Sequence, residues 1–203
     1  MIYANTIAAV QTSRPASATA TSDEMLLSRV AKGDKDALRL LYARHHVRVF
    51  RFLVRMVGNE ASAEDLVSEV FIEVWHHAGC FEQRSQVTTW ILGIARHKAL
   101  SLLRRRPVDQ LDDDTMALVA DTAADPETLA QQQDCSAILQ ECIKQLSPLH
   151  REVIDLIYYH EQSVEEVARI VGVPENTVKT RAFHARKRIA EMMAERGIDR
   201  AWL

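Results

Sequence analysis

The sequence predicts an all-α fold, in which two small helical domains are joined by an acidic, flexible linker. Glycine and proline are scarce among the 203 residues, with six and five respectively, and no segment sustains the apolar–polar alternation of a β-strand. Charge also divides the chain. Residues 24–106 hold 14 Lys/Arg against 9 Asp/Glu, whereas residues 107–134 hold 8 Asp/Glu and no Lys/Arg. This acidic stretch lacks a long amphipathic pattern, which favours a linker extended by its own charge repulsion.

Helical periodicity dominates the rest of the chain. Ser147 followed by Pro148 is typical of a cap with proline at the first helical position, so we expect a helix to begin there. The predicted helices cover residues 24–32, 34–57, 62–78, 86–105, 128–146, 148–160, 163–171 and 174–195.

These helices and the segments around them divide the chain into five parts. Residues 1–23 are rich in Ala, Thr and Ser and hold few large apolar side chains, so we expect a disordered tail. The other predicted parts are a helical domain over 24–106, an acidic linker over 107–131, a second helical domain over 132–196 and a C-terminal tail over 197–203.

The most informative stretch, residues 163–188, predicts two helices joined by a tight turn. Ser163 and Glu166 have the spacing of a capping box. Gly172 supplies the positive φ with which the first helix can end, and Pro174 can begin the second at its first position. An apolar stripe predicted to pack inward runs along the second helix and consists of Val178, Ala182, Ala185, Ile189 and Met192.

The other faces of the second helix are strongly basic. Residues 176–190 contain five Lys/Arg and no Asp or Glu, whereas residues 141–175 are mainly acidic. A basic helix after an acidic one is typical of a helix-turn-helix, because only the second helix enters the polyanionic groove of DNA. The pattern therefore predicts DNA binding, and an ordinary helical hairpin with a solvated basic face is the alternative.

Two segments of the N-terminal domain carry further information. Residues 65–75 place two apolar rows on one helix, so the second row either faces a partner or is buried in the same bundle. Residues 88–106 are predicted to form an amphipathic helix that is basic in its middle, ends in three arginines and points Ile91, Ile94, Ala95 and Leu102 inward. Basic side chains beside the aromatic Phe81 and Trp90 suit unstacked bases. Arginines at a helix end equally favour the helix dipole.

Together these segments resemble the bacterial sigma factors of the small, two-domain extracytoplasmic-function (ECF) group. Four stretches carry the resemblance: residues 64–75, residues 81–106 with the pattern Phe-x8-Trp-Ile-x-x-Ile-Ala-Arg, residues 146–154 and residues 173–188. The resemblance implies that the first domain is sigma region 2 and the second is sigma region 4. His97 and His184 depart from it, since the family commonly has Asn and Arg at these two positions.

The resemblance also implies partners and site residues. Such a factor binds core RNA polymerase and promoter DNA, and an anti-sigma factor holds it inactive until a stress signal arrives. The implied contacts to the −35 element are Lys179, Thr180, Arg181, Phe183, His184, Arg186 and Lys187. The implied contacts to the −10 element are Phe81, Trp90, Arg96, His97, Lys98, Arg104 and Arg105. The implied contacts to the polymerase are Asp65, Glu69, Phe71 and Trp75.

Two other classes of protein fit parts of the sequence. A two-component or quorum-type regulator shares the C-terminal helix-turn-helix, but its second domain usually contains β-strands, and residues 24–106 are predicted to be helical throughout. A metal-sensing protein would use His76, His77 and Cys80, with His45 and His46 as further ligands. No matched second ligand pair accompanies them, and adjacent histidines at a helix end are favourable to the helix dipole.

Composition bounds the remaining possibilities. The three cysteines are irregularly spaced, which indicates a reducing cytoplasm rather than a disulfide framework. No apolar run approaches the roughly 20 residues that span a membrane. The chain contains no Gly-rich phosphate loop, nucleophile elbow or metal-hydrolase motif, so we expect neither an enzyme nor a cofactor.

Overall fold

The computed structural model describes residues 21–105 and 137–198, and every regular element in these two ranges is helical. The first range is called the N-terminal unit below and the second the C-terminal unit. The predicted acidic linker, nearly all of the N-terminal tail, most of the C-terminal tail and the first part of the predicted helix 128–146 lie outside the described residues.

The N-terminal unit contains four α-helices. They are α1 (Asp23–Val30), α2 (Lys35–Val57), α3 (Glu60–His77) and α4 (Val87–Arg105), with a short 3₁₀ turn at Ala78–Cys80. In the C-terminal unit, residues 137–144 are helical (α5) and are followed by α6 (Pro148–Ile154), α7 (Val164–Val171) and α8 (Glu175–Glu195). Where the structure describes both ends of a predicted helix, the predicted and observed ends agree within two residues, provided that α6 is counted together with the turn that follows it. One element differs in kind, because α6 continues as a π-helical turn over Asp155–Tyr159.

Polar side chains explain where the first three helices begin. Ser22 accepts a hydrogen bond from the backbone amide of Met25, and Asp34 accepts bonds from the first turn of α2. Asn59 does the same for α3, directly after Gly58 has ended α2 with φ 69°. These bonds satisfy amides that have no partner within the helix itself.

The core of the N-terminal unit lies between α2, α3 and α4. The two apolar rows of α3 are both buried there, except for Trp75, which is half-buried. Of the two interpretations of these rows, burial within the bundle is therefore the one that the structure supports. On α4, Ile91 and Ala95 point inward as predicted, while Ile94 and Leu102 are half-buried at the edge of the core.

The predicted apolar stripe of α8 is buried along its whole length, and two different cores receive it. Its C-terminal half packs with Cys142 of α5, Ile154 of α6 and Leu146 in the turn between these helices. Its N-terminal half joins a cluster that includes Val167 of α7 and continues into the core of the N-terminal unit. The two units are therefore in direct contact, with α7 packed against α4.

Neither described range contains a helix that is both long enough and apolar enough to cross a bilayer.

Candidate nucleic-acid interface

The helix-turn-helix forms as predicted. Ser163 accepts a hydrogen bond from the amide of Glu166 at 3.2 Å, and Glu166 in turn accepts one from the amide of Ser163 at 2.9 Å. This capping box begins α7, and Gly172 ends it with φ 74°. Pro174, expected at the first helical position of α8, is instead its N-cap, one residue before the helix begins at Glu175. The short, capped turn sets the direction of α8 relative to α7.

One face of α8 presents the residues that were predicted to read the −35 element. Arg181 is half-buried, and its Nη1 atom has no hydrogen-bond partner among the described residues. Lys179 lies 3.5 Å from Glu175, a loose pair one turn away that is free to exchange for a phosphate. The other members of this face are all exposed: Thr180, Phe183, His184, Arg186 and Lys187.

The exposed face of α8 continues onto α6 and the π turn. The ring of His184 lies between those of Phe183 and His150, with centroid distances of 5.5 Å and 6.5 Å. Arg186 donates a hydrogen bond to the hydroxyl of Tyr158 at 3.2 Å. The surface therefore combines cations, hydrogen-bond donors and an exposed aromatic ring, which are the groups that contact phosphates and base edges in DNA.

A second cluster lies around the start of α4. The rings of Phe81 and Trp90 are in contact, with centroids 5.5 Å apart and planes inclined by 56°. A groove runs past this pair along α4, and the exposed His97 lies on its lining. Arg169 and Ile170 of α7 also line the groove. Trp90 and His97 thus line one groove and Phe81 packs against Trp90, while the C-terminal unit forms part of the same groove.

Lys98 connects the predicted −10 contacts to the predicted polymerase contacts. Its ammonium lies 2.8 Å from Glu73 and 3.3 Å from Glu69, both on α3. The hydrogen bond to Glu73 raises the pKa of Lys98, and the same bond lowers the pKa of Glu73. Both partners therefore stay charged around neutral pH.

The three arginines predicted to contact the −10 element differ in their surroundings. Arg96 is engaged by Glu152 of α6, with 2.6 Å between Nε and Oε1. Arg104 and Arg105 are exposed at the end of α4, and Arg104 donates to the carbonyl of Leu100. Only the two terminal arginines present an open cationic surface.

The predicted polymerase contacts are likewise divided. Asp65 and Glu69 are exposed on α3, and Trp75 is half-buried. Phe71 is only 5% exposed and packs edge-on against Tyr42, so it supports this surface from within rather than forming it. The exposed Ile72 lies between these side chains along α3 and was not predicted as a contact.

The histidines considered as metal ligands have other partners. His45 is buried and lies 2.7 Å from Asp23, while His46 stacks on Tyr42. His77 pairs with Glu73 at 3.0 Å. Within residues 21–105 and 137–198, no three His, Cys, Asp or Glu side chains are placed to hold a metal ion together.

Sequence reasoning missed the polar residues that join the two units. Arg55 of α2 lies 2.6 Å from Asp155 on the π turn, and both side chains are nearly buried. The hydroxyl of Thr89 lies within hydrogen-bond distance of Gln162 and Glu166. Asp155 carried a usable signal, because a charged residue interrupts the apolar run of residues 153–157.

Comparison with known proteins identifies the family. Residues 41–107 match the family model for sigma-70 region 2, and residues 136–189 match the model for sigma-70 region 4. The chain belongs to the sigma-70 family. Its curated relatives place it in the ECF group: it is 31% identical over 174 residues to the ECF RNA polymerase sigma factor SigX of Bacillus subtilis, covering 81% of this chain and 89% of SigX.

Further relatives agree with this assignment. The chain is 32% identical over 171 residues to the RNA polymerase sigma factor CarQ of Myxococcus xanthus, which covers 83% of this chain and 96% of CarQ. It is 28% identical to the ECF sigma factor SigW of Bacillus subtilis, over 83% of this chain and 95% of SigW.

Two solved structures share the fold of this sigma factor. One is CnrH in complex with the cytosolic domain of CnrY, with a TM-score of 0.63, 22% identity, and coverage of 85% of this chain and 97% of CnrH. The other is the sigma factor RpoE of Bartonella quintana in complex with the anti-sigma factor NepR, with a TM-score of 0.62, 23% identity, and coverage of 77% and 96%. The predicted fold class, two helical domains corresponding to regions 2 and 4, is thereby confirmed.

As an ECF sigma factor, this chain is a transcription initiation factor that acts with core RNA polymerase at promoters. The N-terminal unit is its region 2 and the C-terminal unit is its region 4.

Proposed function

We propose that this sigma factor reads the −35 element as duplex with α8 and captures an unstacked base of the −10 element in the groove beside Trp90. The observation that carries the proposal is the exposed cationic face of α8, directly after a helix whose capping box and glycine stop hold it in place. A second cationic and aromatic site lies on the other unit of the same chain. Two DNA sites of different chemistry suit two promoter elements, one of which is bound as duplex and the other as a separated strand.

The −35 assignment follows from the chemistry of the α8 surface. Lys179 and Arg181 provide charged donors for phosphates or base edges, and Phe183 offers an apolar contact to thymine methyl groups. Arg181 is half-buried on this surface and its Nη1 atom is buried without a hydrogen-bond partner, so the guanidinium must turn outward to reach DNA.

The −10 assignment follows from the groove along α4. A base removed from the stack needs an aromatic surface and nearby donors, which Trp90, Phe81 and His97 supply. Arg104 and Arg105 at the exposed end of α4 are placed to neutralise the phosphates of the separated strand.

The exposed surface of α3 is the proposed polymerase contact. Asp65 and Glu69 supply its charges, and Trp75 with Ile72 supplies apolar area. Interfaces of this kind place an aromatic anchor among polar side chains. Phe71 holds the surface in shape by packing against Tyr42 from inside.

An anti-sigma factor is the proposed regulator. The similarly folded CnrH and the RpoE of Bartonella quintana were both solved as complexes, the latter with the anti-sigma factor NepR. We place the activity in the cytoplasm, where polymerase and chromosome meet, and assign it to a stress-response regulon. Nucleotidyl transfer belongs to the polymerase, so this chain itself is not an enzyme.

Run-off transcription tests the central proposal. The full chain is combined with bacterial core polymerase and a genomic fragment library, and the transcripts are sequenced from their 5′ ends. Discrete starts that depend on the chain and share two upstream elements are the expected result. With the Lys179→Ala variant, transcripts should be lost selectively from promoters that have a strong −35 element. DNA binding without any new start would contradict the proposal.

The regulator requires a separate test. The tagged chain is used to capture proteins from its host before stress, and each captured protein is purified. A true anti-sigma factor should abolish the chain-dependent transcripts while leaving transcription by another sigma factor intact. A captured protein that binds without lowering transcription would not be this regulator.

A further inference from the structure

We infer that region 4 of this chain competes with DNA for the −10 site on region 2. The Glu152 carboxylate of region 4 pairs with the Arg96 guanidinium, which a DNA phosphate would otherwise contact. This inference rests on the proposed −10 function of region 2 and on the −10 contact that the family resemblance implies for Arg96. It adds a specific occupant to that site, namely the α6 helix of the same chain.

The contact between Arg96 and Glu152 has the geometry of phosphate recognition. Nε lies 2.6 Å from Oε1, and Nη2 lies 3.4 Å from Oε2, so two nitrogens face two oxygens. The side chains are only 19% and 8% exposed. A guanidinium binds carboxylate and phosphate in the same forked arrangement, so the two anions are alternatives at one site.

Two further polar contacts hold region 4 on region 2. Arg55 lies 2.6 Å from Asp155, and its guanidinium also lies 4.2 Å from the ring centroid of Tyr159. Thr89, on the same helix as Arg96, meets Gln162 and Glu166 at 3.0 Å and 3.1 Å. Across these contacts, region 4 contributes three acidic side chains, Glu152, Asp155 and Glu166. An acidic surface of region 4 therefore covers a basic and polar surface of region 2.

Apolar packing supports the same arrangement. Val167, Ile170 and Val171 of α7 are buried in the cluster that contains Ile91 and Leu92 of α4. We call this packing of region 4 on region 2 the closed arrangement, or closure. Because it removes apolar area from water, burial stabilises it in addition to the ion pairs. Separating the regions would expose both faces to solvent at once.

Closure affects the two DNA sites differently. Arg169 and Ile170 line the groove beside Trp90, so an incoming base meets region 4 there. On α8, by contrast, Lys179 and Phe183 remain exposed in the same arrangement. The closed chain can therefore contact −35 duplex while its −10 site is occupied, and opening is the step that admits the −10 strand.

The test compares full-length variants in two measurements. Glu152→Gln removes the competing charge, and Asp155→Asn weakens closure at a contact that does not involve Arg96. Glu191→Gln is the matched control, since it removes one exposed carboxylate of region 4 that pairs with Arg188 on its own helix. Small-angle scattering gives the radius of gyration. Fluorescence anisotropy gives the affinity for a labelled single strand that carries the −10 sequence found by run-off transcription.

We expect Glu152→Gln and Asp155→Asn each to raise the radius of gyration and to tighten single-strand binding about fivefold to tenfold, since a larger fraction of the chain is competent to bind. Glu191→Gln should change neither quantity. Should both opening variants expand the chain without any gain in affinity, while Arg96→Ala still weakens binding, competition would be refuted and the −10 role of Arg96 would survive.

Two other results would also overturn the inference. A wild-type chain that is already extended, and that Glu152→Gln leaves unchanged, would show that region 4 does not cover region 2. If Arg96→Ala leaves binding unchanged in the Glu152→Gln background, the proposed −10 role of Arg96 fails, and the competition fails with it.

Discussion

The ammonium of Lys98 lies 2.8 Å from the carboxylate of Glu73 and ties α4 to α3. Lys98 also lies 3.3 Å from Glu69, so one cation on the proposed −10 helix faces two carboxylates on the proposed polymerase helix. A lysine held in this way is a weaker phosphate contact than a free one, because DNA must displace its partners.

Glu73→Gln should strengthen binding of single-stranded DNA about twofold to fivefold, because Lys98 then keeps only one carboxylate partner and is more available to a phosphate. The affinity should also fall more steeply with salt concentration. The increase in slope should correspond to at most about one additional phosphate contact. Anisotropy titrations at several salt concentrations measure both effects.

Glu64→Gln is the control for this prediction, since Glu64 is an exposed carboxylate of α3 that forms no ion pair with Lys98 in the structure. An equal gain in affinity from both variants would mean that only the net charge of region 2 matters.

The −35 and polymerase surfaces should be separable by mutation. The Lys179→Ala, Arg181→Ala double variant should weaken binding to −35 duplex tenfold or more, since each contact is worth roughly 1–3 kcal/mol. Its affinity for core polymerase should be unchanged. Arg188→Ala on the same helix is the control, because Arg188 pairs with Glu191 and lies outside the proposed contact set.

The Asp65→Ala, Trp75→Ala double variant should show the opposite behaviour. It removes a charge and an aromatic anchor from α3, so core polymerase binding should fall by tenfold or more while binding to −35 duplex stays intact. Both affinities are measured by titration with labelled protein. Normal polymerase binding by this variant would show that the contact surface lies elsewhere.

Glu161→Gly should stabilise the protein by about 0.5–1 kcal/mol. Glu161 has φ 53°, in the left-handed region that a side chain disfavours and glycine adopts freely. Urea unfolding followed by circular dichroism measures the change. Glu165→Gly, the same substitution inside α7, should destabilise by about 1 kcal/mol. Loss of stability in both variants would show that the conformation of Glu161 carries no strain.

Acid should loosen the start of α7 through Glu166. Burial raises the pKa of Glu166, but hydrogen bonds from the backbone amide and the hydroxyl of Ser163 and from Thr89 outweigh it, so the pKa lies below the ordinary value of 4.5. A carboxyl with a lowered pKa contributes stability above that ordinary value, and this contribution is lost as the pH falls through the folded-state pKa.

The wild type should therefore lose more unfolding free energy than Glu166→Gln between about pH 5 and about pH 3, by up to about 1 kcal/mol, the usual worth of such a cap. Asp34 and Glu73 also have lowered pKa values and are present in both proteins, so the difference isolates Glu166. Parallel pH profiles would contradict the assignment.

Local signals explain why so much of the fold could be predicted. The capping box at Ser163, the stop at Gly172 and the apolar stripe of α8 are set by residues near in sequence, and the structure contains all three. The exposed cations of α8 follow from the same periodicity, because an inward stripe determines which side chains face outward.

The contacts between the regions could not be predicted in this way. The family resemblance assigns Arg96 to DNA, and its position on α4 gives no sign of a carboxylate partner 56 residues further along the chain. Phe71 was assigned to the polymerase surface for a related reason. Its helical position left open which face of α3 would be covered, and packing against α2 decided that it is buried.

The contact between Asp155 of region 4 and Arg55 of region 2 depends on the number of residues in the π turn at 155–159, and not only on which residues they are. The amide of His160 bonds to the carbonyl of Asp155, so this turn encloses one residue more than an α turn does. Deleting a single residue here would let α6 continue in regular geometry and rotate the following side chains by about 100° relative to those before it. Asp155 and His160 could not then both keep their places against Arg55 and Phe52. A deletion of one residue at this turn is therefore expected to loosen the contact between the two regions even though every contacting side chain is still present.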